Sequence, residues 1–127
     1  MAVSRRALGG VRSKRVGQAK RALSDVASVV RMPRPTPLDP GDLSAAVDAL
    51  PGWSLEGAKL HAEFEFSDFA GAFGFMAAVA TVAAQMDHHP EWSNVYSKVT
   101  VDLVTHDAGG ITELDVELAR RMSDLAA

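Results

Sequence analysis

The sequence predicts an α+β domain: one four-stranded antiparallel sheet with helices packed on one face, in the order α-β-β-α-β-β-α. Three observations carry this. Lys59–Phe66 (KLHAEFEF) and Lys98–His106 (KVTVDLVTH) both alternate apolar and polar residues, the period of a half-buried strand. Between them, apolar residues from Phe69 to Met86 recur at helical spacing. A third helical stretch closes the chain.

Each element has a local reason. Asp42 is placed to cap a short helix, LSAAVDAL, which Pro51-Gly52 ends. Trp53–Glu56 reads as a strand and Gly57 as its turn. In the next strand Leu60, Ala62, Phe64 and Phe66 share the inner face, with His61, Glu63 and Glu65 on the other. Ser67 is the expected N-cap of the long helix. Its core stripe is expected at Phe69, Ala72, Phe73, Met76, Val79, Ala80, Ala83 and Met86. Pro90 stops this helix, because a residue before proline is pushed out of the α region. His89 is therefore extended and His88 stands at the helix end. A hairpin follows, with strands at Trp92–Tyr96 and Lys98–His106. The second buries Val99, Val101 and Leu103 and exposes Thr100, Asp102 and Val104. Gly109-Gly110 makes a loop. Thr112, with Asp115 three residues on, resembles a capping box and opens the last helix, which runs to about Leu125.

Composition divides the chain. Residues 1–35 carry nine basic residues and one acid, whereas the rest carries four basic and fifteen acidic residues. The prolines at 33, 35, 37 and 40 mark the boundary. Residues 1–35 are expected to form a basic, disordered extension and residues 36–127 the folded domain. Were the head helical, Val16, Ala19, Leu23, Val26 and Val30 would share one apolar face. Its arginine-rich, acid-poor composition also suits a targeting peptide or a nucleic-acid arm, and Met32 is an alternative start. It lacks the continuous apolar stretch of a secretory signal. There is no cysteine, which excludes disulfides and thiol chemistry and is compatible with a cytoplasmic location. No apolar run reaches the roughly 20 residues that span a bilayer.

The chemistry concentrates in the histidines. Only four occur, and His88 and His89 are adjacent. His88, His89 and His106 all fall at element ends, where side chains can share a cleft. Histidine both gives and takes protons near neutrality, so a set of them suits a reaction that moves a proton on and off a substrate. Asp87 and Asp107 flank them and can orient them. Pro90 and Trp92 can wall a flat ligand. Three histidines with an aspartate also form a reasonable zinc or iron set, but adjacent histidines in extended chain point apart. His61 lies on the polar face of its strand. Gly109-Gly110 lacks the context of a phosphate loop, and no serine triad is evident.

The stretches LPGWSLEG (Leu50–Gly57), FGFMAAVA (Phe73–Ala80) and MDHHPEWSNVYSKVTVDLVTHDAGGITELD (Met86–Asp115) together resemble the pterin-4a-carbinolamine dehydratases, over about residues 40–125. The resemblance implies the same α+β fold. It implies loss of water from a 4a-hydroxytetrahydropterin to give the quinonoid dihydropterin, in recycling of the pterin cofactor of aromatic amino-acid hydroxylases. It implies no metal and no cofactor beyond the pterin substrate itself. The family's three active-site histidines fall on His88, His89 and His106. Its substrate-binding stretches fall on His88–Pro90, beside Asp87, and on Thr105, His106, Asp107 and Ala108. A supporting tryptophan falls on Trp53 and an aspartate on Asp115. A proton must reach the 4a-hydroxyl and another must leave N5. His88 and His106 are expected to transfer them, in an unassigned order, with His89 orienting the pterin.

Two positions depart from the family's pattern: Ala84 stands where an acid is common, and Leu114 where a basic residue is common. Family members form homodimers or homotetramers through helices and sheet edges, and the strand around Ser93–Lys98 offers such an edge. Some have lost catalysis and act as assembly factors or coactivators, which is the alternative reading here. Neither a membrane nor a nucleic-acid partner is expected for the domain.

Overall fold

A computed structural model describes residues 35–127. The basic head, and every reading of it above, lies outside the described residues. The element order is α1 (Pro40–Asp48), β1 (Trp53–Glu56), β2 (Lys59–Glu65), α2 (Phe69–Met86), β3 (Glu91–Val95), β4 (Lys98–Leu103), a single 3-10 turn at His106–Ala108, and α3 (Glu113–Ala126). The four strands form one antiparallel sheet in the order β1-β2-β4-β3, which leaves β1 and β3 as its edges. The α-β-β-α-β-β-α order and fold class are as the sequence predicts.

The helix starts differ from expectation by a few residues. Asp39, not Asp42, caps α1: its Oδ1 accepts from the Asp42 N–H at 2.8 Å. Pro40 then fills the first position, where a missing N–H costs nothing. Asp68, not Ser67, caps α2 by accepting from the Gly71 N–H at 2.7 Å. In both cases two neighbouring residues could serve as a cap, and the sequence pattern does not choose between them. The final capping box is as expected, with Thr112 as cap and the Asp115 carboxylate returning to the Thr112 N–H.

Leu60, Ala62, Val99, Val101 and Leu103 from the sheet bury themselves against Phe75, Val79 and Val82 of α2 and Leu118, Ala119 and Met122 of α3. Burying one such large side chain stabilises by about 1.5–3 kcal/mol. Glu63, Glu65 and Lys98 stay exposed on the opposite sheet face.

The inner stripe of α2 is rotated from the expected one. Ala72, Phe75, Val79, Val82 and Ala83 are buried, while Phe69 and Phe73 are about half exposed and pack on each other at 5.7 Å. The helix is apolar on nearly every side, so its composition does not fix which face turns inward.

β4 also stops earlier than expected. After Leu103 the chain leaves the sheet, and Thr105 pairs with Gly110 across the 3-10 turn. This short closed loop presents His106. The β3–β4 hairpin turns through Tyr96 at φ +52°, and the Asn94 amide clamps it by donating to the carbonyls of Tyr96 and Lys98.

Candidate functional site

The helix-ending turn sends the two adjacent histidines to opposite environments. Asp87 adopts a left-handed conformation at φ +50°, and the His88 N–H closes back on the Ala83 carbonyl at 3.1 Å. The chain reverses there. His88 is carried inward and is only 5% exposed, while His89 is exposed ahead of the half-buried Pro90.

His88 meets the first turn of α3. Its Nε2 lies 2.6 Å from Asp115 Oδ1. Asp115 is fully buried and its other oxygen, Oδ2, accepts from the Thr105 hydroxyl at 2.8 Å and the Thr112 N–H at 2.9 Å. The Thr105 and Thr112 hydroxyls are 2.8 Å apart. Both carboxylate oxygens therefore act as acceptors. With Asp115 as a carboxylate, which accepts and does not donate, the His88 hydrogen lies on Nε2 and Nδ1 is the ring nitrogen this bond leaves unused. One aspartate thus joins the end of α2, the end of β4 and the start of α3.

His106 stands one residue beyond Thr105 and faces the other way. Its side chain is 75% exposed, and its Nε2 lies 2.5 Å from Glu91 Oε1. Glu91 opens β3, and its second oxygen lies 2.6 Å from the Lys59 ammonium on β2. The hydrogen bond from Lys59, followed by that from His106, holds the Glu91 carboxyl below the usual range. The same contact pushes the Lys59 ammonium up. On the open sheet face His61 and Glu91 both stand opposite Asp102 in register. His61 is bound to Asp102 through Nδ1 at 2.8 Å, so it is less exposed than its polar face suggested.

The structure thus joins His88, Thr105 and Asp115 directly, and places His89, Pro90 and His106 next to them along the chain. Asp87 and Asp107 are exposed on the flanks, and Ala108 is half-buried in the 3-10 turn. Trp53 stands on β1, separated from β4 by β2, with its ring edge-on to Phe64 and its Nε1–H donating to Ser123 at 2.8 Å. It braces α3 and touches none of the histidines through these contacts. Sequence reasoning missed Glu91 and Lys59, and read Thr112 only as a helix cap. The signal for Glu91 was present in HHPEW, but only the β2–β4–β3 strand order shows that it faces Lys59 and His106.

Among the described residues no group of three histidine or carboxylate side chains is set to hold a metal ion. An open groove of about 580 Å³ between α1 and α3, lined by Leu38, Asp42, Ala46, Glu113, Val116, Glu117 and Arg120, includes none of the histidines.

Comparison with known proteins identifies the family. The family model described as "Pterin 4 alpha carbinolamine dehydratase" matches residues 36–125. A "Putative pterin-4-alpha-carbinolamine dehydratase" of Solibacter usitatus is 48% identical over 92 residues, covering 72% of this chain and 97% of that protein. A protein of the same name from Nitrobacter hamburgensis is 58% identical over 84 residues, covering 65% of this chain and 83% of its own length. The crystal structure of a transcriptional coactivator/pterin dehydratase from Brucella melitensis superimposes with a TM-score of 0.71 at 44% identity, over 72% of this chain and all of the other. The match takes in every element of the sheet and both histidine-bearing junctions, and on it the chain belongs to the pterin 4 alpha carbinolamine dehydratase family.

Proposed function

We propose that this protein dehydrates a 4a-hydroxytetrahydropterin to the quinonoid dihydropterin, with His88 and His106 as the proton-transferring groups. The observation that carries the reading is that each of these two rings is held through Nε2 by its own carboxylate, Asp115 and Glu91. Each ring is thereby left with Nδ1 to exchange a proton. Protonation turns the 4a-hydroxyl into water, a good leaving group, and removal of the N5 proton supplies the electrons for the new C=N bond. Such positioned acid–base groups contribute about 10²–10⁴-fold each. His89, exposed and next to Pro90, orients the pterin rather than taking its proton. The reaction needs no metal and no cofactor beyond the pterin, and a pterin-dependent hydroxylase is the natural source of the substrate. The test is stopped-flow decay of 4a-hydroxytetrahydropterin generated in situ. Wild type accelerates the decay and His106→Ala and His88→Ala lose most of the acceleration; equal rates in all three would refute the reading.

A second reading is favoured by one observation. Phe69 and Phe73 expose an apolar face on α2, and Val95 and Tyr96 are 76% and 65% exposed at the end of the β3 edge. The Brucella relative is described as a transcriptional coactivator as well as a pterin dehydratase. We propose that these surfaces bury against further copies of the chain in a homodimer or homotetramer. Light scattering at the monomer mass would refute this. An oligomer that leaves pterin decay at the buffer rate would favour a binding module.

A further inference from the structure

We infer that Glu91 is a positioning residue for His106: it fixes the ring with Nε2–H donated, presents Nδ1 to the reaction, and is itself held at its other oxygen by Lys59. The kinetic half of this inference rests on the proposed dehydration; the structural half does not.

The argument starts from the exposure of His106. A ring that is 75% exposed has little packing to hold it, so its orientation depends on its hydrogen bonds. The bond it makes is to Glu91 Oε1. A carboxylate accepts and does not donate, so the bond assigns the ring hydrogen to Nε2. Glu91 is well placed to be the fixed partner. It begins β3, directly after the rigid Pro90, and its backbone is locked in register opposite Asp102. Its second oxygen is taken by Lys59 from β2, two strands away, at 2.6 Å. Lys59 lies far from Glu91 in sequence, and the sheet brings them together.

An isolated surface ion pair of this kind contributes little to stability. Its value here is geometric: two donors from different elements use the two oxygens of one carboxylate, which leaves the carboxylate one orientation. The lowered Glu91 carboxyl agrees with a group held charged. His61 provides a contrast on the same sheet face. It is bound through Nδ1 to Asp102 and makes no bond to Glu91, so it reports on the fold and not on this contact.

The test uses full-length protein labelled with ¹⁵N on histidine, with ring N–H protons and ring nitrogens observed by NMR at mildly alkaline pH. Wild type should show His106 as the Nε2–H form with an observable Nε2 proton. Glu91→Gln should lose that proton to solvent exchange, while the Nδ1 proton of His61 and the Nε2 proton of His88 persist. Lys59→Met should weaken the His106 signal without moving His61. In single-turnover pterin decay, Glu91→Gln should lower kcat by about tenfold to a hundredfold, the scale of a misplaced catalytic group, with KM within about twofold. A wild-type His106 in the Nδ1–H form, or an unchanged His106 proton in Glu91→Gln, would overturn the inference. So would loss of the proton with an unchanged kcat in an active wild type. If wild type does not accelerate decay, the dehydratase reading fails, and the ring-proton result alone decides whether Glu91 holds His106.

Discussion

Asp115 offers the sharpest test of the buried half of the site, because two substitutions there separate fold from chemistry. Asp115→Ala removes an acceptor that serves three donors: His88 Nε2, the Thr105 hydroxyl and the Thr112 N–H. Thr105 keeps its contact with the Thr112 hydroxyl. The His88 N–H and the Thr112 N–H are left buried without a partner, at about 1–3 kcal/mol each. The second of these is the half of the capping box that Asp115 supplies. The sum is about 2–6 kcal/mol, a large share of the 5–15 kcal/mol that holds a typical domain. Asp115→Asn behaves differently. Its amide oxygen can keep both donors on the Thr105 and Thr112 side and turn its NH₂ toward His88. His88 then accepts at Nε2 and moves its own hydrogen to Nδ1. No group is orphaned, and the cost falls to about 1–2 kcal/mol as charge-assisted bonds become neutral ones. The tautomer is inverted, however, so the nitrogen that should exchange the proton is the wrong one, and pterin decay should slow by about 10²–10⁴-fold. Urea unfolding followed by circular dichroism gives the stabilities, and stopped-flow gives the rates. Equal destabilisation by the two substitutions, or an Asp115→Asn protein of normal rate, would refute the reasoning.

Four further predictions follow from the same geometry. Met122 is fully buried between α3 and the sheet, so Met122→Ala should cost about 2–5 kcal/mol in urea unfolding; a loss below about 1 kcal/mol would show that the core collapses freely. Tyr96 is 65% exposed and held at φ +52°, so Tyr96→Gly should leave stability unchanged or raise it by up to about 1 kcal/mol, and a clear loss would mean that the ring is engaged. The Glu91–Lys59 pair should set a pH window. The lowered Glu91 carboxyl contributes above the ordinary glutamate value of about 4.3, and the contribution is lost as pH falls through its folded-state value. The raised Lys59 ammonium contributes below about 10.4, and that is lost as pH rises through its own folded-state value. The urea-midpoint difference between wild type and Glu91→Gln should therefore be flat near neutrality and close on acidification; a difference that grows in acid would contradict the pairing. Finally, Ala84 is exposed on the last turn of α2, where an acid placed near His88 would be screened by water. Ala84→Glu should change the rate by less than about fivefold, the scale of an exposed pair worth about 1 kcal/mol, as stopped-flow would show.

What the sequence made legible was periodic. The strands at Lys59–Phe66 and Lys98–His106 are read from strict alternation, and the structure keeps their inner faces residue for residue through Leu103. The Thr112–Asp115 box is read from a short spacing that has one physical meaning. What failed was phase and reach. α2 is apolar around most of its circumference, so Phe69 and Phe73 could not be told from Phe75 and Val82 by hydrophobicity alone. Thr105 and His106 look like the end of an alternating strand, yet the 3-10 turn takes them out of the sheet, because Gly109 at φ +79° lets the chain fold back so that Gly110 pairs with Thr105. The three histidines of the candidate site were found from position. Asp115 is legible as a cap and through the family resemblance but not as the partner of His88, and Glu91 is not legible as the partner of His106, because they lie 27 and 15 residues away in sequence.

The partners, more than the histidines, distinguish the roles. His61, His88 and His106 are each bound to one carboxylate, from β4, α3 and β3 in turn. His61 uses Nδ1 and lies on the open sheet face, where Asp102 closes a cross-strand row. His88 and His106 use Nε2 and lie at the two chain reversals that flank the β3–β4 hairpin. A ring pinned at one nitrogen can transfer a proton only at the other, and it does so in a fixed direction. A ring without such a tether can follow a ligand but cannot hold a proton in place for it. His89 stands exposed beside its buried neighbour, so the left-handed turn at Asp87 gives adjacent residues different work. His88 receives a carboxylate partner from the interior, and the orienting role proposed for His89 rests on its exposure.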